Sequence, residues 1–446
     1  MTLELVEHIN QLAHQMTERR ERFLADLIRI RSYTGQEGAA VERTLAELRA
    51  IGCDEVWTDS AGNALGRIGH GPRVILYDAH LDTNEVADER EWPHPPLEPV
   101  VEGDVMFGLG ASDCKGGVAA IVYGAAILAE VIRSGDRPQR GVASYPGLEA
   151  LAGYSGQRAQ PAEASKPKEH LDTFSKAETP PLRLDDFSLV IMGATLEEDA
   201  EGFALRSLVE RDGLRPEVVL LAEATDLSLR RGQRGRCEVR VRTVGRAAHA
   251  SQPHLGESAI LKMLPVIAAL EAMNPALPVD PIFGKGNQVV TLIEGPHTPN
   301  SVPSWCEVAV DRRLVPGETP VAVLAGIRAV VEPLGATATI PTQPVLSHTG
   351  LRLDGPAFYS GWLLPDADPL LAAGKATASA LWGVEPVVGV WRFSTDGAYS
   401  AGAAGIPTLG FGPQEERYVH TADDQVNLTK LRKAAEFYAL FPWVYS

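Results

Sequence analysis

Apolar residues recur at helical spacing over residues 3–30, and the same periodicity predicts a further helix at 38–51. The texture then changes. Residues 74–77, 189–192, 218–221 and 408–411 are short apolar runs without alternation, which predicts strands covered on both faces in a mainly parallel sheet. Helical segments separate these runs, among them the uncharged stretch 116–129, so the expected class is α/β with helices on both faces of the sheet.

From residue 233 the pattern differs: Cys237, Val239 and Val241 alternate with Glu238, Arg240 and Arg242, as in a half-exposed strand. A helix at 257–273, strands at 288–293 and 306–312, a helix at 320–334 and a strand at 336–340 follow. That βαββαβ order is the ferredoxin-like unit. Apolar αβ texture then returns, so a first domain, 1–232 and 342–446, is interrupted by a second, 233–341. One stretch, 134–187, fits neither domain. It carries six prolines and a Ser/Ala/Lys/Glu-rich middle where connections ordinarily take about 2–6 residues, and reads as an insertion with room for a short helix of its own.

Composition narrows the function classes. A chain of 446 residues has room for about two to four domains. Its 41 basic and 58 acidic residues leave a formal charge of −17, which repels phosphate backbones and anionic lipid heads and argues against nucleic-acid and membrane partners. Cys53, Cys114, Cys237 and Cys306 lie far apart with no CxxC pair, fitting neither a disulfide framework nor a zinc ribbon. The first residues lack a basic flank followed by an apolar core, and 116–129 is shorter than the roughly 20 residues of a membrane span. A cytoplasmic protein is expected.

Candidate chemistry gathers where the predicted strands end. His80 and Asp82 follow the first apolar run, and residues two apart in extended chain face the same side, so the Asp82 carboxylate can orient the His80 ring. Asp113 sits on the Gly-rich turn before the uncharged helix, as an N-cap also would. Glu197, Glu198 and Asp199 are three adjacent carboxylates, either a solvated acidic loop or a group relieved by a cation. Glu223 and His420 each lie past a further run. Open α/β sheets bind ligands outside the carboxyl ends of their strands. Two His, one Asp and two Glu suit a pair of Zn²⁺ ions, with Asp113 bridging and one carboxylate left for base chemistry.

The ordered motifs DAHLDT, GASDCKGG, LEED, LAEAT and VHTADD resemble those of the acetylornithine deacetylase, succinyl-diaminopimelate desuccinylase and aminoacylase family of dinuclear zinc hydrolases, over nearly the whole chain. The resemblance implies that His80, Asp113 and Glu223 hold one zinc and that Asp113, Glu198 and His420 hold the other, with Co²⁺ or Mn²⁺ able to substitute. It makes Glu197 the general base acting on a zinc-bound water and Asp82 the residue steering His80. It also implies a cis peptide after Asp113 and a ferredoxin-like lid that forms a homodimer. There His249, in GRAAHAS, would reach the partner subunit's site, and Asn300 and Arg313 would bind substrate. Arg313 read alone is also an ordinary exposed strand residue. The implied activity is deacylation of N-acyl amino acids or related small carboxylated amides. A di- or carboxypeptidase and a catalytically silent homologue are the other readings. Glu at 223, where dipeptidase relatives commonly have Asp, favours N-acyl amino acids or C-terminal peptide bonds. His420-Thr-Ala-Asp-Asp424 departs from the His-x-x-x-Glu of many relatives.

Overall fold

The computed structural model describes residues 3–134 and 185–445. The insertion expected at 134–187 therefore falls almost wholly outside the described residues. Two principal sheets divide the chain. The larger has nine strands, and its centre is Phe187–Ala194, Arg73–His80, Val218–Leu221 and Thr408–Gly410, side by side and parallel. All residues of Phe187–Ala194 and Val218–Leu221 are buried, which is why these runs show no alternation. Antiparallel strands flank this centre: Ala64–Ile68 and Glu55–Thr58 on one side, Leu229–Gln233 and Trp362–Leu363 on the other. The mainly parallel α/β sheet expected from the sequence is present, with parallel pairing concentrated where burial is complete.

The uncharged run forms the core helix Gly116–Arg133. It packs against the sheet and against Leu428–Tyr445, so closely that a Cβ on Gly124 would lie 2.4 Å from that of Tyr438. The periodicity of 3–30 is divided between two helices, Leu3–Gln15 and Thr17–Arg29, with Met16 between them. At this break the Ala13 carbonyl accepts from the buried Arg20 guanidinium at 3.0 Å and from the Thr17 hydroxyl at 3.3 Å. Among the described residues two helices, Ala111–Arg133 and Ala259–Ala276, have the length and apolarity to cross a membrane, but 89% of the most apolar stretch of the first is buried inside the fold.

The smaller sheet begins at Gly235, directly after the larger sheet's Leu229–Gln233. Its strands Gly235–Val244, Asn287–Glu294, Trp305–Leu314 and Ala336–Thr339 are antiparallel, in spatial order second, third, first, fourth. Helices Ala259–Ala272 and Pro320–Val331 complete the βαββαβ unit, each opened by a side-chain cap, Ser258 and Thr319. Met263, Val266, Val323 and Ile327 meet Cys237, Val239 and Val241 in its core. Among the described residues the outer strand Asn287–Glu294 pairs on one side only. Val289, Leu292 and Ile293 on it, with Ile260, Leu261 and Leu264 on the first helix, are exposed.

A hairpin that the apolar pattern did not predict, Thr342–Leu346 with Arg352–Pro356, carries the chain back. His348 near its tip contacts the Gly62 carbonyl at 3.0 Å.

Candidate metal centre

His80 ends the Arg73–His80 strand and is buried. Its Nε2 lies 3.1 Å from Asp113 Oδ1, 3.6 Å from Glu223 Oε1 and 3.9 Å from Glu197 Oε2. Nδ1 is 2.9 Å from the main-chain oxygen of Asp82, which can only accept, so Nδ1 carries the proton. The Asp82 carboxylate is farther from the ring, at 3.6 Å. Its oxygens accept the amides of Glu197 at 3.2 Å and Glu198 at 3.1 Å and the Thr34 hydroxyl at 2.9 Å. Asp82 thus aims the Glu197–Glu198 turn as well as lying beside His80.

Asp113 offers its second oxygen to the other histidine, Oδ2 lying 2.9 Å from His420 Nε2. The Asp113–Cys114 peptide is cis, as expected. The turn before it is held by Asp424, whose carboxylate accepts the amides of Gly110 and Ser112 and the Ser112 hydroxyl. That gives the Asp of the HTADD motif a structural task that sequence left open. His420 Nε2 is also 3.1 Å from Glu198 Oε2. Asn84, which no sequence signal singled out, reaches both, 2.8 Å from Glu198 and 2.9 Å from His420.

The electrostatics are those of crowded acids around two imidazoles. Burial pushes Glu198 up to about 7 and Glu223 up to about 8, with Asp113 adding to both, and burial raises Glu197 well above the carboxylate range. Burial would also raise Asp113, but hydrogen bonds from His420 and His80 hold it below its ordinary value. The same bonds from Asp113 and Glu198 lift His420 to about 10. Among the described residues two sets of side chains bring ligand atoms within 4.8 Å of one another: His80, Asp113 and Glu198, and His80, Cys114 and Glu223. Cys114 was not foreseen there. Burial raises its thiol, and Sγ lies 3.1 Å from the Ala222 carbonyl.

The fold thus brings together His80, Asp82, Asp113, Glu197, Glu198, Glu223 and His420. His249, Asn300 and Arg313 stand apart in the smaller unit. His249 is exposed, with Nδ1 2.8 Å from Ser251 Oγ, and it forms a bridge to Ser301 beside Asn300. The Arg313 fork is engaged by Asp311 on its own strand, at 2.8 and 3.2 Å.

Residues 76–143 match the model described as Peptidase family M20/M25/M40, and 231–338 the Peptidase dimerisation domain. The chain is 32% identical over 424 residues to the uncharacterised protein YgeY of Escherichia coli K12, covering 94% of this chain and 93% of that one. The chain belongs to peptidase family M20/M25/M40. Succinyl-diaminopimelate desuccinylase of Acidiphilium cryptum is a more distant relative, 23% identical, with 93% and 95% covered. The M20 metallo-carboxypeptidase Sso-CP2 of Sulfolobus solfataricus has the same fold, with a TM-score of 0.68 at 13% identity over 96% and 99% of the two chains.

As an M20 protein the chain is a hydrolase of amide or peptide bonds. The residues present fit divalent metal. Neutral imidazoles and carboxylates are the donors such ions take, and a cation offsets both the burial and the Asp113 repulsion that raise Glu198 and Glu223.

Proposed function

We propose that this M20 hydrolase deacylates N-acyl amino acids or related small carboxylated amides, and that it works with two Zn²⁺ per chain. The observation that carries the reading is Asp113, whose two oxygens face two different histidines, His80 at 3.1 Å and His420 at 2.9 Å. A carboxylate so disposed is what two closely spaced dications need between them. On this reading His80, Asp113 and Glu223 hold one ion, and Asp113, Glu198 and His420 the other. When bound, the ions supply Lewis-acid polarisation and make water acidic near neutral pH.

The rest is the work of side chains. Glu197 is the carboxylate of the three farthest from His80, and burial raises its affinity for a proton. Both properties suit a general base that takes the proton of the attacking water and passes it to the leaving amine. Asp82 keeps that carboxylate in line by holding its amide. Arg313 and Asn300 bind the substrate carboxylate, which takes the position of Asp311 on the Arg313 fork. His249 stabilises the oxyanion in the site of a second copy.

A homodimer is supported by the exposed apolar face of the smaller unit, where Leu261 and Leu264 are 66% and 57% exposed beside an unpaired strand edge. Four free cysteines support a cytoplasmic setting.

The test is a zinc-supplemented activity screen over N-acetyl amino acids, their C-terminal amides and dipeptides. Turnover of the acids with a large drop in kcat/KM on the amides supports the reading. Faster cleavage of dipeptides makes the enzyme a peptidase, and no turnover by metal-loaded protein makes it a silent homologue.

A further inference from the structure

The turn bearing Glu197 and Glu198 is gripped at three successive amides. Asp82 takes the last two. The first, that of Leu196, donates at 3.1 Å to Oε1 of Glu37, a residue 159 positions away. Leu196 has φ of +67°, the left-handed region, which is strained for a side-chain-bearing residue. Something must hold it there.

Glu37 is an unusual group to find in that role. It immediately precedes helix Gly38–Ala50, where a carboxylate ordinarily caps its own helix, yet its side chain makes no such bond. The same Oε1 accepts the Gly35 amide at 2.8 Å. Oε2 is buried without a hydrogen-bond partner among the described residues, and the residue as a whole has no exposure. Burying a carboxyl with one oxygen bare is costly. Thr34, on the same short loop, gives its hydroxyl to Asp82 at 2.9 Å. The 34–37 loop therefore fastens this turn twice, once through Asp82 and once through Leu196.

We propose that Glu37 is a positioning residue: by holding the Leu196 amide it keeps that residue left-handed, and so presents the Glu197 carboxylate towards His80 and Asp113. It touches neither substrate nor metal, and the proposal rests on Glu197 being the general base. Glu37→Gln keeps an acceptor oxygen where the Leu196 amide needs one. Glu37→Ala removes it.

The experiment measures kcat, KM and zinc content on an N-acetyl amino acid for E37Q, E37A, E197A and the E37A/E197A double variant. The expected result is a kcat at least tenfold lower in E37A, with KM within about twofold, zinc content unchanged and E37Q within about threefold of the parent. In the E197A background E37A should cost nothing more, because the group it positions is gone. An equal loss in both backgrounds, or no loss in E37A, overturns the proposal. Full activity in E197A overturns the base reading, and this proposal with it. If E37A does not fold, E37D draws the carboxylate back by one methylene and should also lower kcat while sparing KM. An E37D rate equal to the parent's overturns the proposal.

Discussion

Buried carboxylates in this protein repeatedly take backbone amides: Asp424 those of Gly110 and Ser112, Asp82 those of Glu197 and Glu198, Asp396 that of Gly202. Such bonds fix loops that hold other acids against their mutual repulsion. On the proposed assignments, Glu197→Ala keeps both zinc ions and loses about 10²–10⁴-fold in kcat, whereas Glu198→Ala loses zinc, as metal analysis alongside kinetics would read. The reverse pattern exchanges the two roles. Glu37 gives a pH dependence of known sign. Burial, with Asp82 adding to it, pushes its carboxyl up to about 7 from 4.5, so the folded state binds the proton more firmly than the unfolded chain. Its contribution to stability is then full below about 4.5 and is lost as pH rises through 7. Glu37→Gln cannot ionise, so its thermal midpoint should gain on the parent's from pH 5 to 8, by on the order of 2–3 kcal/mol in stability. A gap that does not change with pH would show that Glu37 is not ionising. His80, Glu197 and Glu223 were legible because each follows an apolar run within a few residues, and Asp113 because it sits on a Gly-rich turn before the uncharged helix. Glu37 was not, because Gly-Gln-Glu before an apolar helix reads as an ordinary helix start, and its real partner lies far along the chain. Asn84 carried no signal at all.

Among the elements, the core helix Gly116–Arg133 was easiest to read, since an uncharged run long enough for several turns has nowhere to go but inside. Its fit to Leu428–Tyr445 depends on Gly124. Gly124→Ala drives a methyl into Tyr438 and against the Ala435 carbonyl, and should cost about 1–3 kcal/mol, read as a lower denaturation midpoint with an unchanged m-value. The hairpin Thr342–Leu346 and Arg352–Pro356 was missed because Pro344 and Pro356 argue against strands. The two strands form a sheet of their own, in which neither has a second neighbour, and a proline costs less there. Glu55–Thr58 and Ala64–Ile68 escaped notice for a related reason. Gly66 interrupts the apolar run because Leu48 and Cys53 pack against its backbone, leaving no room for a side chain. The break at Met16 is invisible to periodicity, which registers the face a residue occupies and not the carbonyl that Arg20 takes.

At the scale of the whole molecule, the ferredoxin-like unit was legible because its elements follow one another without interruption, and its partner face was not, because an exposed leucine on an apolar helix reads the same as a buried one. If that face joins two copies and His249 acts across it, mixing E197A with H249A subunits, each nearly inactive alone, should restore activity in the heterodimer, where one site has both groups. No recovery after subunit exchange would confine His249 to its own chain. Leu264→Glu should yield monomers by light scattering and lose activity with them. The larger sheet has a different dependence on chain order. Thr408–Gly410 lies between Val218–Leu221 and Leu229–Gln233, two strands that leave the ribosome long before it does. During synthesis these two strands must wait with the middle position open, while the contiguous unit from Gly235 to Thr339 is free to close its own core. Pairings this distant in sequence are slow to form. His420 emerges after the missing strand, so His80, Asp113 and the three glutamates stand without their second imidazole until the last part of the chain is made.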